Sequence, residues 1–215
     1  MSKEELLKIA KPILFNTEMV KAILEGRKTV TRRVINWDIV NRCDMERDGT
    51  LLCFEDEYGD HIRPEKLCRY KPGDILYVRE TWNHYNHNII AGPQKGYHEE
   101  GYFYKASPEM KSTLPVYVQY HWGKKWKPSI HMPKEAARIF LQVKDVRVER
   151  LQEIDDKGAY MEGAGEPNTV YQLGARVCEF AKIWQSTIKK GDIDTYGWDA
   201  SPYVWVIEFE RIEVE

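Results

Sequence analysis

Apolar residues recur at helical spacing in two segments of the chain. In "FNTEMVKAILEG", residues 15–26, four apolar residues form one stripe, Asn16 or Thr17 can cap the helix, and Gly26 suits the left-handed position after its last turn. In the second segment, 169–188, apolar residues at steps of three and four predict an amphipathic helix. Each segment therefore predicts one helix with one buried face.

Strand patterns account for most of the other apolar residues. β-branched residues alternate in "KTVTRRVI", and a Pro-Gly-Asp turn precedes a strand in "YKPGDILYVRETW". The longest strand pattern covers 138–151, but the parity of its apolar residues slips by one near Lys144 and Asp145, which predicts a β-bulge. The closing "PYVWVIEFERIEV" predicts a central strand. Short strands with a few helices between them indicate a mainly β, α+β domain built on a barrel-like sheet.

Residues 83–127 interrupt this regular pattern. They are rich in Asn, Gly, His, Tyr and Lys, and they predict a long irregular insertion with one or two short strands, such as "GYFYK" and "PVYVQY". No internal repeat and no low-complexity linker divides the chain. The prediction is therefore a single domain spanning residues 1–215.

Composition narrows the class of protein. Apolar residues make up 42% and charged residues 31% of the 215 residues, which is ordinary globular usage and argues against disorder. The formal net charge of -2 gives no global field for nucleic acid or an anionic membrane, so such binding needs a local patch. No apolar run approaches the roughly 20 residues that span a bilayer, and the N-terminus lacks a secretory segment. We therefore expect a cytoplasmic protein of unknown oligomeric state.

Metal-ligating residues follow no metal-binding pattern. The four cysteines are widely and irregularly spaced, which favours isolated thiols over a zinc site or disulfides. His84 and His87 form the one close histidine pair, in a segment so rich in asparagine that it predicts a solvated loop. We expect no metal and no cofactor.

The stretch "GRKTVTRR", residues 26–33, concentrates basic and hydroxyl side chains directly after the first helix. On a strictly alternating strand, Lys28 and Thr31 lie on opposite faces. They can meet only if the strand begins after Lys28. The alternative is a solvated strand edge that carries cations to discourage further pairing. From spacing alone both interpretations stay open.

A second basic segment, "HWGKKWKPSIHMP", places Trp122 and Trp126 among three lysines, of which Lys127 is the last. Aromatic rings beside cations suit single-stranded nucleic acid, because bases stack on the rings while the cations meet phosphates. The alternative is a loop held in place by two tryptophans.

Two further candidates are charged groups at the ends of predicted elements. "VRETW" sets Arg79 and Glu80 beside Trp82, as a binding group or as a structural ion pair. In "EIDDKGAYMEGAGE", a helix capped near Asp155 places Glu162 at its C-terminal end, where a carboxylate is unfavourable against the helix dipole. Such a misfit can mark a functional residue.

Five ordered motifs give the chain a family resemblance. "ILEGRKTVTRR", "KPGDILYVRETW", "WKPSIHMP", "VERLQEIDDKGAYMEG" and "WDASPYVWVIEFERI" together resemble the ASCH domain family of the PUA-like superfamily, in its phage and prophage branch. The likeness runs from about residue 11 to the C-terminus. The family signature Gly-x-Lys-x-x-Thr-x-Arg stands here as Gly26, Lys28, Thr31 and Arg33. The resemblance implies a PUA-like, mainly antiparallel β-barrel with a few flanking helices and a cleft beside the signature.

The resemblance also implies candidate site residues. ASCH domains are generally regarded as RNA-binding or nucleotide-handling modules; some bacterial members remove an acyl group from acylated cytidine, and others are described as ribonucleases. In the amidohydrolase type, a lysine and a threonine of the signature and a later glutamate are catalytic, which implies Lys28, Thr31 and Glu162 here. The groups expected to bind RNA or substrate are Arg27, Arg33, Glu80, Trp82, Trp126, Lys127 and His131.

The functional expectation is thus a module that binds RNA or a modified nucleoside in a basic, aromatic-lined cleft. Its catalytic form hydrolyses that ligand, as an acylated-cytidine amidohydrolase or as a ribonuclease. The alternative is a non-catalytic, phage-derived protein that binds a host protein partner. Convergence of Lys28, Thr31 and Glu162 in an open pocket favours the enzyme, and their dispersion favours binding alone.

Overall fold

The structure, a computed structural model, mixes helices and strands, which confirms the predicted α+β class. It describes residues 1–43, 54–55, 61–88, 98–121, 125–166, 169 and 172–214. The strands in these residues are β1 Lys11–Leu14, β2 Val30–Val34, β3 Phe54–Glu55, β4 His61–Ile62, β5 Ile75–Arg79, β6 Trp82–Asn88, β7 His98–Tyr104, β8 Phe140–Arg150 and β9 Tyr203–Ile212. The helices are α1 Lys3–Ile9, α2 Thr17–Leu24, α3 Trp37–Val40, α4 Val116–His121, α5 Asp156–Met161, α6 Ala175–Thr187 and α7 Ile193–Tyr196.

Five of the strands form one mixed sheet in the order β1-β5-β8-β9-β2. Strands β1 and β5 run parallel, and β2 and β9 run antiparallel. Two-stranded antiparallel ribbons are formed by β3 with β4 and by β6 with β7. In the described pairings β1 and β2 are the edges of the five-stranded sheet. None of the described helices is both long and apolar enough to pass through a membrane.

The chain groups into two compact units, each with its own core. The first comprises residues 1–24, 75–141 and 212–215, and its core contains Leu6 and Phe140. The second comprises residues 25–74 and 142–211. Its core is made by β2, β9, α5, α6 and the segments on either side of α5, through the buried residues Val30, Leu151, Ile154, Ala159, Ala164, Phe180, Trp184, Val204 and Val206.

The first predicted helix is confirmed, together with its end signals. Helix α2 begins at Thr17, and the side chain of Asn16 accepts a hydrogen bond from the Met19 backbone N–H at 2.9 Å, as an N-cap residue does. Gly26 has a φ of 75°, in the left-handed region that glycine adopts without strain. The backbone then enters β2 at Val30, so Lys28 lies on the connecting turn.

The parity slip in the predicted strand 138–151 is also confirmed. Strand β8 is one continuous element, and Lys144 and Asp145 are both exposed between the buried residues Val143 and Val146. The inward-facing positions therefore shift by one residue where the apolar pattern shifts. The β-bulge itself stays a prediction.

The interpretation of the insertion was wrong in two places. The segment with His84 belongs to β6, which pairs residue by residue with β7, and is not a loop. "PVYVQY" forms helix α4 and not a strand, because Pro115 begins a helical turn in which its carbonyl accepts the amides of Val118 and Gln119. Val118 of this helix is buried in the core, whereas Tyr120 is 73% exposed. Tertiary packing of one residue has outweighed the β-propensity of valine and tyrosine.

Two successive aspartates hold α5 and α6 together in the second unit. Asp155 caps α5, and its Oδ1 accepts the Gly158 amide at 2.6 Å. The carboxylate of Asp156 accepts the amides of Gly174 at 2.6 Å and Val177 at 3.2 Å, so it caps the first turn of α6 from the neighbouring helix. Helix α6 begins at Ala175, later than in the helix predicted at 169–188, of which residues 170 and 171 lie outside the described part.

We predict that Asp156→Ala lowers the free energy of unfolding by about 0.5–2 kcal/mol, the usual cost of losing a helix cap. Chemical denaturation followed by circular dichroism measures this change. Asp199→Ala is the matched control, because Asp199 is exposed in the turn before β9, and we expect a change within about 0.5 kcal/mol. Equal effects of the two substitutions would contradict the proposed role of Asp156.

Candidate active site

Glu162 stands at the C-terminal end of α5, in a tight turn that the sequence builds with glycine. The Gly163 amide donates to the Tyr160 carbonyl at 2.8 Å, and the Ala164 amide donates to the Ala159 carbonyl at 3.0 Å. With Gly163 at a φ of 93°, this is a Schellman motif. Ala159 and Ala164 are both fully buried, which supplies the apolar contact typical of the motif. The turn therefore fixes the backbone direction of Glu162.

The Lys28 ammonium binds to this turn. Its Nζ lies 2.7 Å from Glu162 Oε2, 2.8 Å from the Glu162 carbonyl oxygen and 2.7 Å from the Val30 carbonyl oxygen. Both side chains are buried, with only 1% of the lysine and 5% of the glutamate side chain exposed. The two residues are 134 positions apart in the sequence, so tertiary structure alone brings them together.

Arg32 and Glu149 extend the ion pair. Arg32 Nη1 lies 3.3 Å from Glu162 Oε1, so each carboxylate oxygen of Glu162 meets one cation. Arg32 Nη2 donates to Glu149 Oε2 at 2.8 Å, and Arg147 Nε donates to Glu149 Oε1 at 2.6 Å. Arg147 and Arg32 together lower the pKa of Glu149, although its burial acts in the opposite direction. The cluster thus alternates positive and negative groups from the buried Lys28 outward.

The hydrogen bonds of Lys28 define its resting charge. Burial lowers the pKa of Lys28, and the negative charge of Glu162 opposes that shift. An ammonium has three N–H donors, and Nζ has three oxygen acceptors at hydrogen-bonding distance. With Glu162 ionised, a neutral amine would leave one of these buried acceptors without its proton, so the three contacts fit a charged lysine paired with a carboxylate.

Thr31 lies beside this group on β2. The carbonyl that accepts the Lys28 ammonium belongs to Val30, so Nζ contacts the peptide group that joins Val30 to Thr31. Thr31 is 1% exposed and is paired with Ile207 of β9. Lys28 precedes β2, so strand alternation does not force its side chain onto the face opposite Thr31.

Arg27 and Arg33 flank the cluster on either side of Lys28 in sequence. Arg27 Nη1 donates to the carbonyl oxygens of Gly163 at 3.1 Å and Gly165 at 3.0 Å. Arg33 Nη1 donates to the Arg32 carbonyl at 3.2 Å. Burial lowers the pKa of Arg33, and it raises the pKa of Tyr70, whose phenol is close enough to Arg33 to act on it electrostatically. Both arginines are thus part of the second unit, with Lys28 and Glu162.

Glu80 belongs to the first unit, where it forms a buried pair with Arg138. Arg138 Nε lies 2.8 Å from Glu80 Oε1 and Nη2 lies 3.0 Å from Oε2, a bidentate arrangement. The same guanidinium donates to Ser107 Oγ at 2.9 Å and stacks 4.1 Å from the ring centroid of Tyr104. Burial raises the pKa of Glu80, and Arg138 opposes the shift. Every contact described for this carboxylate is structural.

The tryptophans of the first unit are packed against its own side chains. Trp82 is 5% exposed, and Lys127 Nζ lies 4.8 Å from its ring centroid and 2.8 Å from His84 Nδ1. Trp126 packs edge-on against Phe103 at 5.5 Å between ring centroids. His131 is exposed at the end of a 3-10 turn, and Trp122 lies outside the described residues.

No protein-family model, no curated protein and no solved structure matches this chain. The resemblance to the ASCH family therefore stays a prediction that rests on the motifs. Among the described residues, no group of three histidine, cysteine, aspartate or glutamate side chains is arranged to hold a metal ion.

Sequence reasoning found Lys28, Thr31 and Glu162 but missed Arg32 and Glu149. Arg32 falls on an unspecified position of the family signature, and its pairing with Glu149 crosses 117 residues. A usable indication was present, because Arg32 shares the strand parity of Val30, which is an inward-facing core residue. A charged residue with core parity needs a partner of opposite charge, but the sequence does not identify that partner.

We predict that Glu162→Gln lowers the free energy of unfolding by about 3–5 kcal/mol, because it leaves the Lys28 and Arg32 charges buried without their shared carboxylate. Denaturant titration measures the loss. Glu210→Gln is the matched control: its carboxylate pairs with Lys144 at 2.6 Å, but both side chains are about half exposed. That substitution should cost less than about 1 kcal/mol.

A double substitution separates the cost of an unpaired charge from the loss of the pair. Lys28→Met combined with Glu162→Leu removes both buried charges of the pair, so it should be less destabilising than Glu162→Gln alone. A double variant that is less stable than the single variant would show that the pair itself, and not the unpaired charge, supplies the stability.

Proposed function

We propose that this protein binds a modified nucleoside beside Lys28 and removes an acyl group from its cytosine base. The observation that carries the proposal is the 2.7 Å contact between Lys28 Nζ and Glu162 Oε2. The family resemblance implies both residues as catalytic, with Glu162 resting on the loosest of its motifs. Their direct contact supports that role, because a catalytic base and a proton relay must lie within hydrogen-bonding distance.

The proposed reaction uses Thr31 as nucleophile and Lys28 as base. Since Lys28 is charged at rest, its proton first passes to Glu162, with which it shares a short hydrogen bond. Burial assists this step because it disfavours both charged forms, while Arg32 opposes it by stabilising the carboxylate. The neutral amine can then accept a proton from the threonine hydroxyl.

The bonds formed and broken balance as a hydrolysis. Thr31 Oγ attacks the acyl carbonyl while its proton moves to Lys28, and the carbon–nitrogen bond then breaks as Lys28 returns that proton to the leaving cytosine amine. The acyl group is left as an ester on Thr31. Water, deprotonated by Lys28, attacks this ester; the bond to Thr31 Oγ then breaks as Lys28 gives the proton to that oxygen, which releases a carboxylic acid and restores the threonine hydroxyl. Arg33 shares the strand parity of Thr31, and its positive charge suits the oxyanion formed in both attacks.

Access to the site is part of the proposal. Lys28, Thr31 and Glu162 are 3%, 1% and 4% exposed, so substrate reaches them only after neighbouring groups move. Opening and closing steps of this kind often limit turnover. In the same proposal, the sheet and its flanking helices belong to a PUA-like β-barrel, and the ligand enters beside the signature strand β2.

We predict that a screen of acylated cytidines, followed by chromatography of the released cytidine, detects turnover by the wild-type protein. Lys28→Ala and Thr31→Ala should each abolish it, because they remove the base and the nucleophile. Thr31→Ser should retain part of it, since serine keeps the hydroxyl. Short single-stranded RNAs in the same screen test the ribonuclease form of the hypothesis.

Lys144→Ala is the control, because it removes a lysine from an exposed ion pair in the same unit. It should leave turnover unchanged. Full activity of Thr31→Ala would contradict the mechanism. Ligand binding without turnover, in a wild-type protein whose fold is verified by circular dichroism, would identify a binding module, and the absence of both would favour the protein-partner alternative.

A further inference from the structure

We infer that Arg27 is a positioning residue that holds the turn 162–165 so that Glu162 meets Lys28. This inference rests on the proposed function of the Lys28 and Glu162 pair. Arg27 does not contact either the ammonium or the carboxylate in the described hydrogen bonds. It acts on the backbone that carries the carboxylate, through the carbonyl oxygens of Gly163 and Gly165.

The guanidinium of Arg27 is fixed on two sides. Nη1 uses its two N–H groups on the carbonyls of Gly163 and Gly165. Nε and Nη2 both bind Glu25 Oε2, at 2.8 and 2.7 Å. The side chain of Arg27 is only 11% exposed, whereas that of Glu25 is 47% exposed, so the guanidinium is shielded from water mainly on the side of the two glycine carbonyls. One planar group therefore ties Glu25 to the end of α5.

The geometry of the turn explains why a forked donor is needed. Gly163 and Gly165 have φ values of 93° and 83°, which only glycine adopts without strain, and Ala164 between them is fully buried. Two left-handed residues in a stretch of three direct both carbonyls toward the same donor atom. With the Glu162 carbonyl bound by Lys28, the turn has three of its carbonyls held by two adjacent residues of the 25–28 segment.

These contacts leave Arg27 little capacity for a ligand. A guanidinium has five N–H groups; hydrogen bonds to Gly163, Gly165 and Glu25 use three of them, and Nη2 forms an ion pair with Glu25. The direct substrate-binding role implied by the family resemblance therefore has less support than a role within the protein. The consequence for the site is geometric: release of the turn would let the Glu162 carboxylate move away from Lys28.

The test compares Arg27→Gln, Arg27→Lys and Asp156→Ala in the full chain. Asp156→Ala is the control for stability, because it weakens the attachment of α5 without touching the turn. The first readout is the side-chain ammonium resonance of Lys28 in 15N-lysine-labelled protein, assigned with Lys28→Met. A buried ammonium with three acceptors exchanges its protons slowly and gives a resolved signal.

We expect Arg27→Gln to lose the Lys28 ammonium signal and Asp156→Ala to keep it. In the acyl-cytidine assay, Arg27→Gln should lower kcat by up to about 100-fold with KM within a factor of about two, since small misplacements of a catalytic group act on the chemical step. Arg27→Lys should restore part of both readouts, because it keeps a charged donor near the carbonyls. The pH profile of kcat should shift only in the Arg27 variants.

The two readouts keep the inference separate from the proposed function. If the wild-type protein shows no turnover, loss of the Lys28 signal in Arg27→Gln alone still supports positioning, while the enzyme proposal fails. An unchanged signal and unchanged kcat in Arg27→Gln would overturn the inference. A rise in KM alone would also overturn it, because it would make Arg27 a substrate-binding residue. If Arg27→Gln does not fold, Glu25→Gln loosens the same guanidinium from its other side and should shift both readouts less, in the same direction.

Discussion

The buried ion pair between Lys28 and Glu162 is the constraint on which the second unit depends. Transfer of two charges from water into a protein interior costs several kcal/mol for each ion, and their attraction offsets this only when every remaining donor and acceptor is satisfied. Most of these groups are satisfied: Val30 and Glu162 supply backbone carbonyls to Lys28, and Arg32 occupies the second carboxylate oxygen, although Arg32 Nε is buried without a hydrogen-bond partner among the described residues. The cap of α5, the glycine turn and the start of β2 all follow from where these groups must lie.

The hydrogen bonds of Lys28 restrict the chemistry. An ammonium must lose a proton before it can act as a base, and in the described contacts the acidic group that Lys28 Nζ touches is Glu162. Arg32 stabilises the carboxylate and so works against the transfer, while Glu149 partly compensates the charge of Arg32.

Local structure was predictable from the sequence where short-range geometry decides it. The N-cap at Asn16, the left-handed Gly26 and the parity slip in β8 were all read from neighbouring residues. Helix α4 was not, because its valine and tyrosine residues favour strands and only tertiary packing of Val118 decides otherwise. For the site, spacing left the role of Lys28 and Thr31 open and the family resemblance singled them out, whereas Glu149 and its partner Arg32 could not be paired, since contacts across more than a hundred residues leave no trace in a single sequence.

Glu162 shows how a local misfit in the sequence can be resolved by tertiary structure. A carboxylate at a helix C-terminus is repelled by the partial negative charge of the free carbonyls, which made the residue conspicuous. In the structure, the carboxylate and one of those carbonyls bind the same ammonium, so the cation that neutralises the side chain also neutralises the helix end. The Lys28 ammonium thus compensates the repulsion between the Glu162 carboxylate and the C-terminal end of α5. A glutamate that attracts a lysine to the one place where both its charge and its backbone need a cation fixes that lysine more firmly than either contact alone.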